Sequence, residues 1–212
     1  MKIILCVLLC GELLKMDFKL FGIYDTKDVV VSDIALKPYL NITPRLLLKS
    51  HGRAIGKFGN AKVHIIEKLA NHLAVPGHSG KKQKIITSWS SGKYNRNMQT
   101  ILDVLETIHN KTKQNPLQVI VKAIENASPR DETTTIEYGG ARYPQAVDVS
   151  PLRRINITTR WFVQGAYNKC FGKKTKMVDA LAREIMMAAE GNMESFAMSK
   201  KNDAEKQADA AR

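Results

Sequence analysis

The chain is expected to be mainly α, a single helical bundle-like domain with a protruding β-hairpin arm. Apolar residues recur at helical spacing in five segments between Ala61 and Gly191. Between two of these, Thr133 to Tyr138 and Ala141 to Val149 form β-rich runs around Gly139-Gly140, a dipeptide that tolerates the positive φ angles of a tight hairpin turn. A length of 212 residues with 44% hydrophobic side chains suits one core and an extension, without requiring a second domain.

Taken in order, Met1 to Cys10 (MKIILCVLLC) opens like a secretory signal, with a lysine followed by an unbroken apolar run. No small-x-small cleavage site follows, Leu9 stands where a lipoprotein signal needs a small residue, and the run is too short to span a bilayer. Met16 begins a more ordinary sequence, so residues 1–15 are read as an N-terminal extension and Met16 as the expected start. Residues 16–60 are read as an N-terminal docking segment. Within them Asp28 to Ile34 suggests a short strand or extended docking stretch, and Thr43 to Asn60 a flexible basic segment carrying Arg45, Lys49, His51, Arg53 and Lys57.

Residues 61–212 are the expected helical domain. Ala61 to Ala74 places Val63, Ile66, Leu69, Ala70 and Leu73 on one stripe, and Met98 to Asn110 does the same with Ile101, Leu102, Leu105 and Ile108. Val75 to Asn97 between them is rich in Gly, Ser and Lys, and its Trp89 and Tyr94 could stack on unpaired bases or anchor the loop to the core. Asn115 can cap a helix opening at Pro116, Gln118 sits where a reciprocal capping side chain belongs, and Ser128-Pro129 closes it. The hairpin, at about 133–149, follows. Ser150-Pro151 starts a helix with Leu152, Ile155, Thr159, Phe162, Val163 and Ala166 on one face and Arg153, Arg154 and Arg160 largely off it. Thr175 can cap a helix burying Val178, Leu181, Ala182, Ile185 and Ala189 and ending near Gly191; Lys200 to Arg212 is potentially helical but needs something to dock against.

Charge points to a polyanionic partner. Lys+Arg 33 against Asp+Glu 20 leaves +13. The excess sits in two zones: seven basic residues against one acid from Ala61 to Thr100, and seven against two from Thr133 to Thr175. A lone hairpin is marginal in water, so one tipped by Tyr138 and Tyr143 and carrying Arg142 is expected to gain order from a partner. Catalysis finds no support: no phosphate loop, G-x-G-x-x-G, Ser/His/Asp, Cys/His or paired-carboxylate arrangement occurs. Cys6, Cys10 and Cys170 form no CxxC pair, and His64, His72 and His78 have no acidic cluster, so neither metal nor cofactor is expected and the thiols are read as reduced.

KLFG at Lys19 to Gly22, NPLQVIVKAIENASPR at Asn115 to Arg130, QAVDVSPLRR at Gln145 to Arg154 and AAEG at Ala188 to Gly191 resemble the small-subunit ribosomal protein S-seven family. The likeness covers about Asp17 to Arg212 and lies with the archaeal and eukaryotic branch, whose eukaryotic member is called S-five. It makes residues 1–15 an extension foreign to the family. It implies a cytoplasmic protein of the small ribosomal subunit that binds the 3′ major domain of small-subunit rRNA, helps organise head assembly, touches neighbouring small-subunit proteins, and sets its hairpin beside exit-site tRNA and mRNA, with no membrane. On that resemblance Tyr138, Gly139, Gly140, Arg142 and Tyr143 form the tRNA- and mRNA-proximal tip. The rRNA-binding set is Arg53, Lys57, Lys81, Lys82, Lys84, Lys93, Arg96, Arg153, Arg154, Arg160, Lys173 and Lys174. Tyr94 replaces the second lysine of the family's Gly-Lys-Lys element at Gly92-Lys93, and another GKK at Gly80 to Lys82 lies beside an apparent insertion around 78–91. A competing reading, a secreted or membrane-associated cationic protein, draws on the first ten residues and on Asn-x-Thr/Ser triplets at Asn41, Asn110, Asn126 and Asn156.

Overall fold

The computed structural model describes residues 19–45, 48–50, 54–79, 82–83 and 90–212. Among them are six α-helices: α1 (Ile65–Leu73), α2 (Tyr94–Thr112), α3 (Pro116–Ala127), α4 (Pro151–Cys170), α5 (Met177–Glu190) and α6 (Phe196–Ala210). Two antiparallel pairs accompany them, the two-residue strands β1 (His78–Ser79) and β2 (Lys82–Gln83), and the long hairpin of β3 (Asp131–Tyr138) and β4 (Ala141–Asp148). The mainly α fold with a hairpin arm is as expected. The proposed start at Met16 and the extension before it lie outside the described residues.

Helix α5 is the centre, packing against α2, α3 and α4. Its Leu181, Ala182, Ile185 and Ala188 are fully buried, and they meet Ile101, Leu105 and Ile108 of α2, Leu117 and Ile124 of α3, and Ile155, Phe162 and Val163 of α4 in one core. Each large apolar side chain buried in this way contributes about 1.5–3 kcal/mol. Leu20, Leu36, Leu40 and Leu48 join the same core, so the described part of residues 16–60 is packed chain more than flexible tether.

Boundaries move where local chemistry overrides periodicity. Helix α1 starts at Ile65 because residues Gly59–Lys62 take a 3-10 turn and His64 is the N-cap, its Nδ1 accepting from Ile66 N at 3.2 Å. Helix α2 starts at Tyr94, earlier than its apolar stripe. Lys176, and not Thr175, precedes the first residue of α5; Gly191 ends that helix with φ +77°, a left-handed backbone that glycine adopts without strain.

The stretch from Asp28 to Ile34 forms no strand. Two side chains one heptad apart on α3 hold it instead. Gln118, expected to close the helix cap, pairs with Val30 in both directions, accepting its N–H at 2.8 Å and donating to its carbonyl at 3.0 Å. Glu125 accepts the N–H groups of Ser32 at 2.6 Å and Asp33 at 3.1 Å. Backbone groups that a ladder would have paired are thereby satisfied by side chains. Asn115 does cap α3, accepting from Leu117 N at 3.1 Å while its amide reaches back to Asp25 O at 2.7 Å.

Helix α6 is anchored at both ends. At its start, the wholly buried Glu184 accepts from Ser195 Oγ at 2.7 Å and Ala197 N at 3.2 Å, and pairs with Lys169 at 2.7 Å, so one carboxylate from α5 caps α6 and ties it to α4. A Cβ on Gly165 would lie 2.7 Å from Phe196 Cβ, which is why α4 carries glycine at this crossing. At its far end α6 packs on the hairpin root, with Arg212 paired to Asp131 and Glu205 accepting from Arg130 N.

Candidate nucleic-acid interface

The hairpin pairs Asp131 with Asp148 at its root and Tyr138 with Ala141 at its tip. Gly139 and Gly140 carry φ values of +59° and +80°, the primed geometry that matches the right-handed twist of the strands. From Thr134 to Gln145 every residue is exposed. Because side chains alternate, Ile136, Tyr138, Tyr143 and Val147 share one face, while Glu137 and Arg142 form an exposed pair at 3.6 Å on the other. Tyr138 is 82% exposed, so the arm reaches past anything its own body could cover.

Just after the hairpin, Arg153 and Arg154 part company. Arg153 lies on the surface and forms a two-pronged pair with Glu132 at 2.7 and 2.8 Å. Arg154 turns inward, contrary to its expected place among surface cations. It is 8% exposed, and its Nη2 donates to Asp33 Oδ2 at 3.0 Å and Ser128 Oγ at 2.9 Å. One helical step rotates a side chain by about 100°, which carries residue 154 from solvent to the seam between α3 and the docked segment.

The other end of α4 is where cations gather. Lys93 is the N-cap residue of α2 and Arg96 lies in its first turn. Exposed Lys173 and Lys174 lie on the turn between α4 and α5. Arg96 shares a cavity wall with Phe171, Gly172 and Thr175, which brings the two stretches together. Lys57 lines a separate hollow of about 430 Å³ with Arg45, Lys49 and Lys62. Lys49 also sits 4.9 Å above the Tyr94 ring, so that hollow adjoins the start of α2. Burial, aided by the Glu67 charge, pushes the Tyr94 phenol up to about 12, so it stays neutral; its ring belongs to the body. Arg160 is exposed midway along α4. Burial first, and then the charges of Arg160 and Lys68, hold His72 down at about 4. Lys82 is placed by its backbone in β2, and Arg53, Lys81, Lys84 and Trp89 lie outside the described residues. From Val149 to Val178 the chain has seven Lys or Arg and no Asp or Glu. Periodicity overlooked Lys49 and Phe171, because what matters for each is a neighbour distant in sequence.

No described helix is long and apolar enough to cross a membrane. Among the described residues no three His, Cys, Asp or Glu side chains gather as a metal site. Two of the Asn-x-Thr/Ser triplets have an occupied amide: Asn41 donates to Lys62 O at 2.6 Å, and Asn126 to the carbonyls of Ala188 and Ala189 at 3.1 and 2.9 Å.

The sequence profile described as ribosomal protein S7p/S5e matches residues 41–212. The small ribosomal subunit protein uS7 of Nanoarchaeum equitans is 48% identical over 198 residues, covering 93% of this chain and all of the relative. The proteins of that name from Methanosphaera stadtmanae and Methanococcus maripaludis are 39% and 40% identical over 197 and 200 residues, covering 92% and 93% of this chain and all of each relative.

Proposed function

The chain belongs to the ribosomal protein S7p/S5e family, structural components of the small subunit of the cytoplasmic ribosome, and from that premise we propose how its two ends divide the work. The cation-rich end, with Lys93, Arg96, Lys173 and Lys174, binds the 3′ major domain of small-subunit rRNA and helps order the head. Lys and Arg neutralise phosphates there, and the shape of a folded junction supplies specificity, since the deep groove of an RNA helix admits no side-chain reading of sequence. The hairpin tip, Tyr138 to Tyr143, lies near exit-site tRNA and mRNA, Arg153 at the root of the arm adds one rRNA phosphate contact, and other surfaces meet neighbouring small-subunit proteins.

One observation carries this reading: α4 runs its full length without an acidic residue and separates the exposed arm from the cation cluster. Its 20 residues span about 30 Å, far enough for the two ends to engage different partners. The described part of residues 16–60 serves as a docking segment bracing that helix. Salt-series binding to a transcript of the 3′ major domain tests the assignment. Lys173→Ala with Lys174→Ala should flatten the log–log salt slope by about 0.9 for each phosphate that is no longer neutralised. An unchanged slope would exclude both as ligands. Replacing Tyr138 to Tyr143 by a two-glycine turn should leave that affinity intact and impair exit-site tRNA retention in reconstituted subunits; loss of transcript binding by the folded variant would contradict the division.

A further inference from the structure

Between the end of α4 and the start of α2 lies a cavity of about 340 Å³, within the size range of small-ligand sites. One wall is aromatic. Tyr167 and Phe171 stand with ring centroids 5.5 Å apart and planes tilted by 32°, and Phe171 leaves 54% of its surface uncovered. Phe171 is the C-cap of α4, and Gly172 follows with φ +69°, turning the chain so that Lys173 and Lys174 come directly after the ring. Polar groups interrupt the rest of the lining, among Leu73, Pro76, Cys170 and Met177. Asn97, only 2% exposed, is oriented by its amide donating to Ser90 O at 3.0 Å. The hydroxyls of Thr100 and Thr175 give their protons to the carbonyls of Arg96 at 3.0 Å and Lys169 at 3.5 Å, which leaves each oxygen as an acceptor.

We propose that this cavity receives one unpaired RNA base, stacked on Phe171, with its exocyclic amino group toward the threonine oxygens and its flanking phosphates beside Arg96, Lys173 and Lys174. The inference rests on the rRNA-binding reading and extends it from charge to a base-sized site. Stacking needs an open aromatic face, and Phe171 supplies one where an apolar core would have covered it. An apolar side chain from a protein would gain from the ring too. It would have no use for Arg96 in the cavity wall, or for Lys173, Lys174 and Lys176 next in sequence to the lining residues Gly172 and Thr175, in a stretch from Val149 to Val178 that has no carboxylate.

Substitutions that keep bulk and change stacking separate these cases. Binding of the full chain to the 3′ major domain transcript is measured for wild type, Phe171→Leu and Phe171→Trp across a salt series, with thermal melts of each protein alone. Removing one stacked base costs on the order of 5- to 150-fold in affinity. Phe171→Leu should therefore weaken binding at least about fivefold with an unchanged salt slope, and Phe171→Trp should bind within about twofold of wild type. Equal affinity for Phe171→Leu and wild type would overturn the site, as would equal losses for Leu and Trp. Normal transcript binding by Phe171→Leu combined with failed incorporation into subunits would also overturn it, assigning the ring to a protein neighbour. If wild type prefers the transcript no better than an unrelated RNA of equal length, the rRNA reading itself falls and takes the base site with it.

Discussion

Arg153 and Arg154 are adjacent in sequence and should behave as opposites when each is replaced by Ala. Arg154→Ala removes a guanidinium that donates to Asp33 and Ser128 where the pair's side chains are 10% and 29% exposed. A charge-assisted hydrogen bond contributes about 1.5–3 kcal/mol, and breaking a buried pair costs about 3–5 kcal/mol. Because Asp33 keeps some contact with water, the expected loss is about 2–4 kcal/mol, a sizeable share of the roughly 5–15 kcal/mol that stabilises a domain. At about 2–4 °C per kcal/mol for a chain of this size, the melting temperature should fall by roughly 5–15 °C. Arg153→Ala should change stability by no more than about 1 kcal/mol, since its pair with Glu132 is 58% and 33% exposed. Urea and thermal unfolding give the first comparison and the salt dependence of transcript binding the second, where Arg153→Ala should flatten the slope by about 0.9, one phosphate's share, and Arg154→Ala should not. An Arg154→Ala protein that melts with wild type and shows the flatter slope would refute the argument.

Buried charges elsewhere give three more expectations. Glu184→Ala should cost about 3–5 kcal/mol, because Lys169, Ser195 and Ala197 N are all deprived of their acceptor; a urea midpoint within experimental error of wild type would sink that account. Lys68→Met should stabilise the fold by about 1–3 kcal/mol, since burial lowers the ammonium to about 8 and no described group accepts from its Nζ. A destabilised variant would reveal a favourable partner for that charge. Burial likewise holds His64 at about 4 against 6.5 for an open histidine, so the unfolded chain binds the extra proton first. This contribution to stability is intact above pH 6.5 and declines as pH falls toward 4, by about 2 kcal/mol at pH 5. Urea unfolding of wild type and His64→Asn, which can still cap α1, should show a weaker pH dependence for the variant between pH 7 and 5; parallel curves would remove His64 as the cause.

Helix positions were legible because period and caps are local. Pro116 after Asn115, Pro151 after Ser150 and Gly191 after the last apolar turn mark ends that the backbone adopts. The hairpin was equally legible, since two glycines between β-rich runs permit few other turns. The site was only partly so. Lys93, Arg96, Lys173 and Lys174 are all visible as cations, but that Arg96 shares a cavity with the turn that bears Lys173 and Lys174 depends on how α2 and α4 cross. Gln118 looked like a capping residue because its spacing from Asn115 permits it; the Val30 backbone, 88 residues away, offered it a donor and an acceptor together.

By itself the sequence determined the helical class, the arm, the cationic character and the family resemblance, because each is written in short-range pattern or in composition. The tertiary structure alone decided that Arg154 is a buried clasp while Arg153 faces water, that Glu184 caps a helix it does not belong to, and that Phe171 is left open beside a cavity. Those outcomes depend on which surfaces meet when the helices pack. Burial and partner choice are properties of that meeting, and a linear pattern constrains them weakly.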